Sequence, residues 1–515
     1  MDLKKTLLLT LFSVAFLFHV SSKKNILPQS SENKDTAVVT LKPDTVLLPD
    51  KPQELLQFGW TVAMDNGYLA VGTPFYDAGK EENFGKLYLY KYKTDKVKDI
   101  DFFNPAPIVL KYTAFASEVK MKDYKMVVSF KNMGVVKKED NKHPRYTGFM
   151  LYDFENVKTS RDFCINNTRP LKVYINRSVA RKRDSYIYGA IAVNRQYIAK
   201  QAVLKKSSQI LIYIKIDGKL KRITSIFPPD SSVQDFGYSL AIHQNQLAVS
   251  AYNGVYFYEI QEKNNTITAK LIDKKTYTNK NFSNIKIAMT HNYCFVTNYN
   301  RIPHFLGKKD LQLPATDSVY ELLMNIDNKI VPEYYAQTPE NTQMLSKMGL
   351  SEKQINELLF PVYKNNPEMA QKTLETTEKT YVYKKQNGKW HLHQILRSPR
   401  PYAYEFFGNS IDAKDSLCVI GAFSSPLHYD YRIDEAYVGA AYVFKLQNDG
   451  KWHLACKLLP DKREVWSKFG YSVATDGVNV AVGGRLCNLK VNGKEYIDAG
   501  KVFVFFDCIN KINNK

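Results

Sequence analysis

A few acidic, aromatic-rich stretches carry the residue types from which a binding or reactive surface could be built. "PFYDAGKEENFG" (Pro74–Gly85) offers Tyr76 and Asp77. "SSPLHYDYRIDEAYVG" (Ser424–Gly439) offers His428, Tyr429, Asp430, Tyr431 and Arg432. "RLCNLKVNGKEYIDAG" (Arg485–Gly500) offers Asp498, and "RSPRPYAYEFFG" (Arg397–Gly408) adds Tyr402. Aromatic faces stack on sugars and apolar side chains, and nearby charges orient what is stacked. These residues form the candidate ligand-binding set. The carboxylates alone suggest a second chemistry. Asp77, Asp430, Asp434, Glu435 and Asp498 would serve a hydrolase or lyase as acid and base if two stood about 5–9.5 Å apart. The chain has no nucleophile elbow, phosphate loop or His-Glu metal motif, so no catalytic residues are assigned and an enzyme is the alternative reading. The Cys and His lack zinc spacing, and neither a metal nor a cofactor is expected.

The elements that would position these residues are repeats. "LLPDK" occurs at Leu47–Lys51 and again at Leu458–Lys462, each time followed by six unrelated residues and Phe-Gly. Seven identities in fixed register imply an internal repeat. "FGYSVATDGVNVAVGG" (Phe469–Gly484) is matched by segments starting at Phe58, Phe236 and Phe407. Each is two short alternating runs around a tight polar turn, which is the pattern of a β-hairpin. A third alternating run follows ("GKLYLYKY", "NGVYFYEI", "GAAYVFKL", "GKVFVFF"), then a fourth after a second turn ("NGKWHLHQIL", "DGKWHLACKLL"). Weaker copies begin at Phe115, Tyr188 and Phe282. Seven four-stranded antiparallel units predict an all-β, seven-bladed β-propeller over residues 36–510. The seventh unit stops after three strands, and "DTVLLPDK" matches a fourth-strand ending. The N-terminal segment is therefore expected to close the ring and remove an edge.

These residues resemble FG-GAP repeats, the blades of the integrin alpha-subunit propeller. The resemblance covers most of residues 36–510; it is strong in units one, four, six and seven and weak elsewhere. It implies fold more firmly than function. Integrin blades often carry an Asp-x-Asp-x-Asp-Gly calcium loop between their first two strands. Here those turns are short and hold at most one or two acids, so such calcium sites are not expected. The 2–3 and 4–1 connections emerge on one face of a propeller and hold nearly all the excess length, including the whole candidate set. That face corresponds to the ligand-binding face of the integrin resemblance.

Other features bound the reading. Residues 1–22 have the basic start, apolar run and small-residue end of a signal peptide, which predicts a secreted, periplasmic or cell-surface protein. No second apolar run is long enough to span a membrane. The formal charge is +21, but the lysines are scattered, and "RSVARKRDS" (Arg177–Ser185) is the densest basic stretch. A nucleic-acid partner is not expected. The expected partner is a protein or glycan, acidic ones included, and the expected state is a monomer. Residues 304–377 have helical spacing, with Ser351 and Gln354 forming a capping box, and read as a helical insertion in the fifth blade. Cys294 and Cys418 align with Ala70, Ala248 and Ala481 and are expected to be buried thiols; Cys164, Cys456, Cys487 and Cys508 leave room for one disulfide.

Overall fold

The computed structural model describes residues 39–77, 84–93, 96–103, 114–131, 145–153, 173–178, 190–204, 207–216, 219–252, 254–264, 266–277, 285–298, 378–398, 405–425, 438–464 and 466–513. All lie within one compact unit spanning 39–515. The stretches read as a signal peptide and as a helical insertion, together with Tyr402, His428–Arg432, Asp434, Glu435 and Cys164, fall outside the described residues.

The described chain opens with two short strands, β1 (Thr40–Leu41) and β2 (Thr45–Leu47). Blade one follows as β3 (Thr61–Asp65), β4 (Tyr68–Thr73), β5 (Lys86–Lys93) and β6 (Lys96–Phe103). Blade two is β7 (Glu118–Lys122), β8 (Lys125–Lys131), β9 (Arg145–Asp153) and β10 (Val173–Ser178). Blade three is β11 (Ile191–Val193), β12 (Tyr197–Leu204), β13 (Ser207–Ile216) and β14 (Lys219–Ile226). Blade four is β15 (Leu240–His243), β16 (Gln246–Ala251), β17 (Gly254–Lys263) and β18 (Thr266–Thr276). Blade five is β19 (Ile287–Met289), β20 (Tyr293–Asn298), β21 (Lys379–Gln386) and β22 (Lys389–Leu396), so the stretch read as helical connects its middle strands. Blade six is β23 (Phe407–Lys414), β24 (Leu417–Ala422), β25 (Ala440–Leu446) and β26 (Trp452–Leu458). Blade seven has β27 (Phe469–Thr475) and β28 (Val480–Gly484), then a small hairpin, β29 (Leu489–Val491) and β30 (Lys494–Tyr496), then β31 (Lys501–Phe505). A short helix, α1 (Cys508–Asn513), ends the described residues. The seven antiparallel sheets form a ring, a seven-bladed β-propeller.

The outer strand of blade seven is β2. Thr45, Val46 and Leu47 pair antiparallel with Val504, Phe503 and Val502. Sequence reading did not foresee β1, which adds a fifth, parallel strand to blade six: Thr40 opposite Lys457, Leu41 opposite Leu458. One short segment thus covers two neighbouring blades. Asp44 fixes the junction, accepting from the Phe506 N–H at 2.8 Å and pairing with Lys511 on α1.

The repeated Phe-Gly has a mechanical explanation. The N–H of its Phe donates to the carbonyl before the glycine that opens strand three of the preceding blade. Phe58 bonds Ala499 at 2.8 Å and Phe469 bonds Val438 at 3.2 Å; Phe115, followed by Ala116 instead of glycine, makes the same bond to Phe84 at 3.2 Å. At Gly500 φ is +85°, and a Cβ would lie 2.2 Å from the Phe58 carbonyl oxygen. Only glycine permits both that dihedral and that approach. The core lies between the blades. Trp390 stacks on Phe257 with ring centroids 5.0 Å apart, and Trp452 meets Phe295 edge-on at 4.8 Å. In five blades the pairing of strands three and four slips at one place, as at Leu89/Tyr90 and Val443/Phe444, a bulge that twists the outer strand.

Cys294 and Cys418 are fully buried at the second-strand position shared with Ala70, Ala248 and Ala481. Cys456, Cys487 and Cys508 are also buried free thiols, so no disulfide forms among the described cysteines. No described helix is long and apolar enough to cross a membrane.

Candidate functional site

The innermost strands begin at the long-loop face, and the residue after each Phe-Gly stands there. In blades one and seven these are Trp60 and Tyr471, with ring centroids 5.3 Å apart. Phe75 meets Trp60 at 5.2 Å, Phe423 meets Tyr471 at 5.7 Å, and Phe406 stacks on Phe423 at 4.7 Å. Asn409, the corresponding residue of blade six, donates from Nδ2 to the Tyr471 carbonyl at 2.9 Å. The rings are half-buried, so their remaining faces can be covered by a ligand.

Arg485 enters this cluster from the end of β28. Its guanidinium carbon lies 4.0 Å from the Tyr471 ring centroid and 4.6 Å from that of Trp60. Nη1 donates to Gln57 Oε1 at 2.7 Å, while the buried Nε has no partner. Among the described residues no carboxylate is within ion-pair distance of Arg485. Burial pulls the guanidinium below its ordinary value, against the opposing influence of Tyr471 and Asp498. Lys468, 5.6 Å from the Phe423 ring centroid, is brought down to about 8 by burial and then by Arg485. Asp498 is raised by burial, with Arg485 and Lys468 opposing. Two partly desolvated cations and one carboxylate therefore share an aromatic surface. An arginine stays charged under such conditions, and an ammonium near 8 loses its proton more readily.

The described members of the sequence-derived set lie on the same rim, held by opposite ends of one stretch. Gln53 makes a two-way bond with the Asp77 backbone, at 2.9 Å in each direction. Gln57 N–H donates to the Asp498 carbonyl at 3.0 Å. Tyr76 is half-buried, with Lys86 Nζ 5.0 Å from its ring centroid. Lys86 also pairs with Asp50, which accepts from Tyr88 Oη at 2.8 Å. These contacts make Tyr76 part of the wall rather than the aromatic cluster. Asp498 alone of the described set joins the cluster. Trp60, Tyr471, Lys468 and Arg485 were missed by reading loops. The available signal was the variable residue after Phe-Gly, the one aromatic position that the repeat itself carries to the mouth.

A buried carboxyl, Glu405, lies beneath the blade-six connection. It accepts from Ser398, Ser425 and Tyr442 at 3.2, 3.1 and 3.0 Å, and burial raises it. With three hydroxyl donors it fastens the connection to strand three. No group of three or more metal-ligating side chains is placed to hold an ion among the described residues. Compared with models of known protein families and with curated proteins, the chain matches none.

Proposed function

We propose that the chain is an exported propeller of the FG-GAP type, resembling the integrin alpha-subunit propeller, and that it works as a binding or adhesion module. Its ligand is a protein or glycan bearing acidic groups, taken up by the long-loop face. The fold supports a binding role, since long connections on a rigid scaffold are where recognition usually resides. The observation that carries the reading is Arg485: a partly desolvated guanidinium on the Trp60 and Tyr471 rings, with no carboxylate in ion-pair reach among the described residues. Such a cation is under-compensated in the free protein and gains most when an anionic ligand arrives.

The test is binding of the chain from Lys23 onward to an array of acidic and neutral glycans and matrix proteins, at low and high salt, beside Arg485→Met and Trp60→Ala. Binding that survives salt and is lost in both variants supports the reading. Binding that vanishes with salt and ignores both variants reduces the protein to a basic surface. Turnover of an arrayed glycan would favour the carboxylate enzyme instead.

A further inference from the structure

The opposite end of the innermost strands holds a second constellation. Here the short 1–2 turns of blades two, four, five and six surround a cavity of about 230 Å³. Its lining includes Lys122, His243, Thr290, His291, Lys414 and Asp415.

Lys122 ends β7 and is half-buried. Its ammonium makes one described side-chain hydrogen bond, to His243 Nδ1 at 3.4 Å. A lysine can only donate, so Nδ1 accepts and the imidazole proton sits on Nε2. The His243 and His291 rings meet edge-on, centroids 5.7 Å apart. Thr290 is 4% exposed, and its hydroxyl Oγ1 has no hydrogen-bond partner. A buried hydroxyl without a partner costs about 1–3 kcal/mol, which a native fold rarely leaves uncompensated. The neighbouring cation Lys414 is already committed to Asp65. Asp123 Oδ2 is committed to the Arg195 N–H.

We infer that this cavity is a binding site for a small monovalent oxyanion, a carboxylate foremost, held by the Lys122 ammonium, the Thr290 hydroxyl and the His243 Nε2–H. Three donors of different chemistry and an unfilled hydrogen-bonding position are what an oxyanion requires. Asp123 and Asp415 stand at the same cavity and disfavour a doubly charged ligand, which selects carboxylate over phosphate dianion. Burial, Lys122 and His291 hold His243 down to about 4, with Asp123 and Asp415 opposing, so the imidazole is neutral before the anion binds. A bound anion adds a negative charge to those neighbours and moves His243 upward.

The experiment is an NMR titration of the full chain with acetate at constant ionic strength, following the histidine rings and the Thr290 methyl. Inorganic phosphate at pH 8 and chloride serve as comparators. The expected result is saturable shifts at His243 and Thr290 with acetate, and a rise of about one unit in the His243 pKa at saturation. Lys122→Met should weaken acetate binding at least tenfold, Lys122→Arg should retain it, and Thr290→Val should weaken it severalfold. If Lys122→Met does not fold, the Thr290→Val result decides. Absence of saturable shifts, equal shifts with chloride, or phosphate preferred over acetate would overturn the assignment.

Discussion

The two ends of the innermost strands are built from the same repeat and solve different problems. At the long-loop end, backbones of neighbouring blades touch through Phe-Gly, and what remains open is filled by rings and a guanidinium. At the short-turn end, turns of different blades are joined by side chains: Asp123 accepts from the Arg195 N–H, and Lys414 pairs with Asp65. Gly450, in the 3–4 turn of blade six, has φ +76° and nothing within 4 Å of a Cβ position, whereas Gly500 has a carbonyl oxygen 2.2 Å away. The long-loop end is thus close-packed backbone with an aromatic lining, and the short-turn end is held by side-chain contacts around a cavity. The comparison teaches that one repeat can fix blade-to-blade geometry at one end and leave the other end free for polar groups.

The contrast can be broken most severely at the clamp. Gly500→Ala should lower stability by more than about 3 kcal/mol in denaturant unfolding, because it combines a disfavoured dihedral with a backbone overlap. Gly450→Ala should cost only about 1 kcal/mol, from the dihedral alone. Equal losses would erase the distinction between the two ends. Next in size is Arg485→Met. Acidic-ligand affinity should fall at least tenfold, about 1.4 kcal/mol, while the melting temperature holds or rises, because an under-compensated, partly desolvated cation is replaced by an apolar chain. A melting temperature that falls with affinity would make Arg485 a structural residue.

A smaller effect separates the ends by pH. Lys468, near 8 in the folded chain and higher when unfolded, disfavours folding where it is charged. Its penalty is full below about pH 8 and is relieved as pH rises from there toward the unfolded value. Ligand affinity should move oppositely, weakening as pH rises through about 8. His243 is depressed to about 4, so the unfolded chain binds its proton more readily. Stability from this group should be lost as pH falls from the ordinary histidine value toward about 4, and His243→Gln should flatten that part of the melting-temperature profile. The smallest change expected is Tyr88→Phe, which removes the hydroxyl donated to Asp50 and should cost about 1 kcal/mol in thermal unfolding.

The blades were legible because strand alternation, turn dipeptides and Phe-Gly spacing all carry the same period. The matched wording of Leu47–Lys51 and Leu458–Lys462 marks the ends of two outer strands, β2 and β26. The parallel strand β1 was not legible: two residues have no alternation, and their pairing depends on where the ring places Lys457 and Leu458. Loop length singled out Asp498, which lies near enough to Arg485 and Lys468 for both to act on its carboxyl. Arg485 and Lys468 were not legible, since a lysine or arginine in a loop looks solvated until rings close around it. The short-turn cavity was invisible for a related reason: Lys122, His243 and Thr290 sit on three separate blades, and only ring closure brings them together.

Ring closure also sets a timetable. Val46 finds its partner only when Phe503 has been made, almost the whole chain later, and the Phe58 clamp must wait for Ala499. During synthesis, the early strands must persist with unsatisfied edges, the state most exposed to proteolysis and mispairing. A chain interrupted before β31 would lose more than that strand, because β2 pairs with it. It would leave blade seven without its third and fourth strands, blade one unclamped, and the Trp60–Tyr471–Arg485 surface without a fixed geometry. The seam therefore acts as a completeness check, in which the geometry of that surface is acquired late and by the whole ring at once.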